Sequence, residues 1–155
     1  FVGAGCPGGK SRVEASASST CPSGAILTQH FFLPGPLPSL NEIIAAAKQH
    51  TGSWNAYADM KRLWSGIVIM EAKQQRLRPM VGPVHFHFQW HERDRRRDPD
   101  NISSGGRKLT LDGLIAAGIL PGDGWRHISG WTDAFSVDTK RPGVWIEMTP
   151  IGGKP

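Results

Sequence analysis

The run Arg93, Asp94, Arg95, Arg96, Arg97, Asp98, Pro99, Asp100 and Asn101 sets two kinds of charge side by side. A guanidinium is planar, always charged and pairs bidentately with phosphate oxygens, so arginines at this density suit a phosphate-rich partner. Carboxylates would be repelled by those same phosphates unless a divalent cation lay between them. Pro99 disfavours helix at Asp98 and fixes its own φ. An extended segment sends side chains i and i+2 the same way, about 6.6 Å apart, so Asp98 and Asp100 are expected to project together. Such a pair can share Mg²⁺ or Mn²⁺, hard ions that want oxygen ligands. The chain is therefore a candidate metal-dependent nuclease. Asp, Pro and Asn also favour turns and helix caps, and a helix begins soon after, so turn plus cap stays open for the same residues.

Further along, Asp123 sits in the turn Pro121, Gly122, Asp123, Gly124, where no bulky neighbour screens it. Lys108 and Asp112 are four apart and share a helix face. Lys108 can point toward the strand end carrying the aspartates if the helix packs on the sheet there. The plain alternatives are a turn aspartate and a surface ion pair contributing about 0.3–0.5 kcal/mol. A second constellation competes. His85 and His87 share one strand face, a spacing that can bind zinc with His91 or His127 as a third ligand. Without a cysteine or a closely spaced carboxylate, these histidines also fit the polar side of an amphipathic strand.

The elements that must position these groups follow from pattern. Residues 25–33 read as a first strand, stopped by three prolines at 34, 36 and 38. Ser39 and Glu42 have capping-box spacing and open a short helix to about residue 50. Gly52 suits its stop, and Ser53 can cap a long helix over 54–77. On that helix Tyr57, Met60, Trp64 and Ile67 form one face, with Leu63 and Met70 alongside, and are expected in the core. Over 83–91, Val84, Phe86, Phe88 and Trp90 alternate with His85, His87, Gln89 and His91, as in a half-buried strand. It runs straight into the arginine–aspartate segment. A helix over 106–117, a strand over 125–137, a hairpin turn over 138–143 and a closing strand over 144–148 complete the chain. The order β-α-α-β-α-β-β predicts a single α/β (α+β) domain, a mixed sheet with helices packed on it.

The 155 residues suit one domain, and the net charge of +5 favours a polyanionic partner. Eight of the thirteen carboxylates fall between Glu92 and Asp138, so the central region carries both signs. No apolar run reaches the ~20 residues of a membrane span. Cys6 and Cys21 both lie in a Gly/Ser/Ala-rich leader, residues 1–24, which supports neither a disulfide framework nor a zinc ribbon. The leader lacks the apolar region of a secretion signal and is expected to be flexible, with the domain over 25–150 and a tail over 151–155. A reducing cytoplasm is the expected compartment.

Arg95 to Asn101, then Lys108, Leu109, Thr110, Leu111, Asp112, Gly113 and Leu114, then Ala117 and Gly118, then Asp123, together resemble the RusA family of Holliday junction resolvases, particularly its phage-encoded members. The family is similar in its arginine-rich strand end, a D-x-D-N, a helix ending in A-G and a further aspartate beyond. Leu33 and Pro34 leading to Pro38, Ser39, Leu40 and Asn41 look like its proline-rich loop. The resemblance spans roughly residues 26–148 and implies a RusA-like fold. It implies Asp98, Asp100 and Asp123 as Mg²⁺ (or Mn²⁺) ligands and Lys108 as the catalytic lysine. DNA contacts would come from Arg93, Arg95, Arg96, Arg97, Arg107 and Asn101. The chain departs from the family in the spacing from Asp100 to Lys108 and in Gly122, where some members carry a second acid. The implied activity is resolution of branched DNA by paired symmetric nicks, in recombination and repair, by a homodimer. The competing readings are a non-catalytic nucleic-acid-binding module and a zinc hydrolase using His85 and His87.

Overall fold

The computed structural model describes residues 27–152. The leader at 1–24 with both cysteines, and residues 153–155 of the tail, lie outside the described residues. Strand β4 (Val84–Glu92) organises the rest. Its alternation buries Val84, Phe86, Phe88 and Trp90 on one face, with adjacent rings stacked at centroid separations of 5.7 and 5.4 Å. Burying an aromatic side chain of this size contributes about 1.5–3 kcal/mol.

The other elements are β1 (Gln29–Pro34), α1 (Leu40–Ala47), β2 (His50–Thr51), β3 (Trp54–Asn55), α2 (Ala56–Gln74), α3 (Pro99–Ala116), β5 (Ile128–Val137) and β6 (Gly143–Pro150). The main sheet has the order β1-β6-β4-β5, with β5 parallel to β4 and β6 antiparallel to both β1 and β4. Core residues of α2 and α3 join those of the β4-centred sheet face in one cluster. The mixed sheet carrying three helices is thus as the element order predicts. Among the described residues no helix is long and apolar enough to cross a membrane.

Ser39 and Glu42 form the expected capping box. The outer edge of β1 is closed by a side chain: Phe32 N–H donates to Gln75 Oε1 at 2.8 Å, and Gln75 Nε2 donates to the Phe32 carbonyl at 2.7 Å. That amide does what a further strand would do and blunts the edge.

Five local expectations are corrected. The first helix stops at Ala47, and a two-stranded ribbon, β2–β3, occupies the link to α2. Asn55, not Ser53, caps α2, its Oδ1 accepting from the backbone of Tyr57 and Ala58 at 2.9 and 3.2 Å. The buried seam of α2 runs through Val68 and Ala72 with Trp64 packed alongside, leaving Leu63 and Met70 in solvent. β5 and β6 do not form a hairpin, because β6 crosses to lie between β1 and β4. Last, α3 begins at Pro99, seven residues before the expected start at 106, so Gly105 and Gly106 are interior helix positions.

Candidate nucleic-acid interface and metal site

β4 ends at Glu92, and the chain turns through residues 93–98 into α3. Asp98 is the N-cap, with extended φ and ψ of −72° and 140°, and Pro99 takes the first helical position. Proline suits that place, since its missing N–H would be unsatisfied there anyway. The Ile102 N–H donates to the Asp98 carbonyl at 3.1 Å, opening the helix. The Asp98 side chain makes no capping hydrogen bond and is exposed. Asp100 lies in the first helical turn, also exposed. The expectation that both carboxylates leave one extended segment in parallel is therefore corrected, because helix starts between them. Both still sit at the positive end of α3, where negative charge is favoured. Asp98 lines a cleft of about 270 Å³ with Arg95, Pro99, Phe135 and Val137.

The arginines divide. Arg97 is an internal tether: it donates to Glu92 at 3.1 Å, to the Leu37 carbonyl at 2.6 Å and to Glu42 at 3.2 Å. Burial pushes the Glu92 carboxyl up despite the opposing charge of Arg97. Arg107 donates to Asp133 at 2.6 Å and lies 4.5 Å above the Trp131 ring. Asn101 is half-buried in the first turns of α3. Arg93, Arg95 and Arg96 are exposed, with Arg96 only loosely paired to Asp94 at 3.5 Å. Asp133, which residue type and spacing do not single out, is the acid that engages Arg107 beside the site. Its one signal was an acid in the alternating row Trp131, Asp133, Phe135.

Lys108 turns toward the other end of α3. Its Nζ donates to Asp112 Oδ1 at 3.1 Å, and Lys61 Nζ lies 3.1 Å from Oδ2 without hydrogen-bond alignment. The Asp112 bond, with added charge from Asp123, holds the Lys108 amine above its ordinary value. Eight residues separate Asp100 from Lys108, about 12 Å along the axis at 1.5 Å per residue. Asp123 is exposed in the segment beyond the C-terminal end of α3. The site residues thus fall into two groups, Asp98 with Asp100 and Lys108 with Asp112 and Asp123. Among the described residues, no group of three or more His, Cys, Asp or Glu is arranged to hold a metal ion.

On the opposite sheet face, His87 Nδ1 lies 2.6 Å from Thr132 Oγ1 and His91 Nδ1 lies 2.8 Å from Ser136 Oγ. Hydroxyls of β5 engage both rings, while His85 is half-buried and His127 lies in the segment before β5. No protein-family model matches the chain, and among curated proteins none matches it.

Proposed function

We propose that the protein is a Mg²⁺- or Mn²⁺-dependent endonuclease of branched DNA, of the kind implied by its resemblance to the RusA family, in fold as in activity. The observation that carries this reading is the Asp98 carboxylate. It is exposed and free of a cap bond, and it lines a cleft with Arg95, two residues from exposed Asp100 and in the same loop as exposed Arg93 and Arg96. Two carboxylates suit Mg²⁺, which keeps several waters and completes its oxygen shell with substrate phosphate. Bound there, the ion would supply an activated water and neutralise charge developing on the phosphate.

The chain's own residues do the remainder. Asp98 and Asp100 hold the ion from the N-cap and first turn of α3. Arg93, Arg95 and Arg96 hold flanking phosphates and set the strand's position, carrying no sequence information. Arg97 holds the loop through Glu92 and the Leu37 carbonyl, which fixes where the arginines stand. Asp123 and Lys108 lie outside this minimal set. Paired symmetric nicks require two centres related by a two-fold axis, so the working unit is a homodimer, acting in a bacterial or phage-infected cytoplasm.

A second reading has its own support. The separation of Asp98 and Asp100 from Asp123 along α3 also suits a nucleic-acid-binding module without catalysis. One assay divides the two: a synthetic four-way junction incubated with the protein, with and without Mg²⁺ or Mn²⁺. Metal-dependent paired nicks, lost in Asp98→Asn and Asp100→Asn while junction binding persists, support the nuclease. Binding without incision in either metal overturns it and leaves the binding module.

A further inference from the structure

The turn between β5 and β6 is pinned at both ends. Asp138 Oδ1 accepts from the backbone N–H groups of Lys140 and Arg141, each at 3.0 Å. The Asp138 N–H donates to the Glu92 carbonyl at 2.8 Å, and the Gly35 N–H donates to the Pro142 carbonyl at 3.0 Å. The turn is thereby tied to the ends of β4 and β1. Asp138 itself is held below its ordinary carboxyl value by those two turn N–H groups.

This pinned turn forms one wall of a groove of about 660 Å³, within the ~300–1,000 Å³ range of ligand sites. Arg141 lies 4.3 Å over the Phe32 ring and 5.7 Å from the Trp145 ring. Phe32 and Trp145 are themselves 5.1 Å apart, tilted at 48°. Trp145 keeps 41% exposure, so part of its ring is open to a ligand. Lys140, Arg141 and Arg93 line the groove and make no ion pair with a carboxylate among the described residues. One acid, Glu71, lines it too, with its carboxylate engaged by Gln75 Nε2 at 2.7 Å.

An aromatic and guanidinium platform rimmed by unpaired cations has the chemistry of single-stranded nucleic-acid binding. A base stacks on the platform and the cations track the backbone. We infer that this groove takes an unpaired nucleotide of a DNA single strand. The inference rests on the DNA-processing reading above and extends it. Arg93 faces the groove while Asp94, Arg95 and Asp98 line the cleft. Asp98 is five residues on from Arg93, at most about 18 Å of chain. A strand crossing this loop would occupy both, its unpaired nucleotide in the groove and a phosphate near Asp98.

The test is fluorescence anisotropy in EDTA, so that incision plays no part. The probes are a labelled oligothymidylate of about ten nucleotides and a blunt duplex of equal charge. Trp145→Ala is expected to weaken oligothymidylate binding about 5- to 100-fold, with less than about a twofold change on duplex. Trp145→Phe should restore most of it. Lys140→Ala should lower the single-strand salt slope by about 0.7. Because Trp145 lies within a sheet strand, Arg141→Ser on the exposed turn serves as a second variant, with the same single-strand-selective loss expected. Unchanged oligothymidylate binding in folded Trp145→Ala or in Arg141→Ser overturns the inference. So does an equal loss on duplex, which would mark a phosphate contact alone. If the native chain binds neither probe nor a four-way junction, the proposed function falls with it. If it nicks junctions while the variants bind oligothymidylate normally, only the groove inference falls.

Discussion

Arg107 on α3 donates to Asp133 on β5 across 2.6 Å, and the Trp90 indole N–H donates to the other Asp133 oxygen at 2.8 Å. Helix and edge strand are thus joined through one carboxylate, whose partner guanidinium also covers the Trp131 ring. The two side chains retain only 15% and 19% exposure. Removing one member of a buried pair leaves the other charge without compensation, at a cost of about 3–5 kcal/mol. Arg107→Ala is expected near the lower end of that range in urea unfolding, since the pair is not fully dry. Arg107→Lys should recover only part, because a lysine lacks the planar fork that stacks and bonds together. A loss below about 1 kcal/mol for Arg107→Ala would show that the pair is a surface contact.

Gly105 meets backbone, not side chain. A Cβ there would lie 2.5 Å from the Leu40 nitrogen, 2.5 Å from the Ser39 carbonyl carbon and 2.7 Å from the Pro38 oxygen. Alanine normally gains about 1 kcal/mol over glycine inside a helix. Here no rotamer change can clear the collision, and overpacking of this kind costs about 1–3 kcal/mol or more. Gly105→Ala is therefore expected to destabilise by about 2 kcal/mol, against the propensity trend. Gly66 on α2 has nothing within 4 Å of its added Cβ, so Gly66→Ala should stabilise by about 0.4–1 kcal/mol. Equal effects of the two substitutions in urea unfolding would contradict the close approach of α3 to the Pro38–Leu40 segment.

The Ser39–Glu42 capping box gives a pH signature. Partial burial alone would raise the Glu42 carboxyl, but the Ser39 N–H and hydroxyl together with Arg97 outweigh it and hold the group below its ordinary 4.5. A depressed carboxyl stabilises the fold above its unfolded value, and that contribution is lost as pH falls through the folded one. Ser39→Ala should cost about 1 kcal/mol at neutral pH. Glu42→Gln should cost less at neutral pH and match the native chain once the pH is well below 4.5. A Glu42→Gln deficit that persists undiminished in acid would assign the effect to something other than the carboxylate.

What was legible in the sequence was local. The period-two alternation of β4 and the Ser39–Glu42 spacing each depend on residues within one element, and both stand in the fold. The pattern starts the helix at 106, whereas α3 begins at Pro99 and holds Gly105 and Gly106 inside it. They are glycines because Trp90 and the Pro38–Leu40 backbone press against the helix there. The β5–β6 turn carries hairpin chemistry, yet turn residues fix a reversal of direction, not a strand's partner. β6 pairs with β1 and β4, partners set by long-range packing. In the site, the exposed acids at 98 and 100 could be found from residue type. The occupation of Arg107 could not, since Asp133 is 26 residues away and meets it only across the packed helix and sheet.

That division among the arginines is itself measurable. Each phosphate neutralised on duplex DNA adds about 0.9 to the slope of log affinity against log salt. Arg93→Ala, Arg95→Ala and Arg96→Ala should each lower the slope on a four-way junction in EDTA by up to about that amount, with unfolding midpoints unchanged. Arg97→Ala should do the reverse, leaving the slope intact while destabilising the fold by about 1–3 kcal/mol. Its loss strands Glu92, which is only 8% exposed and already raised by burial above its ordinary 4.5. Without Arg97 the ionised form has no partner, so the Glu92 carboxyl rises further in the folded state. A raised carboxyl makes stability fall as pH climbs through the window between 4.5 and the folded value. The Arg97→Ala deficit should accordingly shrink in acid and grow toward neutrality. A slope change for Arg97→Ala equal to those of its neighbours, with no pH-dependent loss of stability, would place Arg97 on the DNA and overturn its role as the tether of the loop.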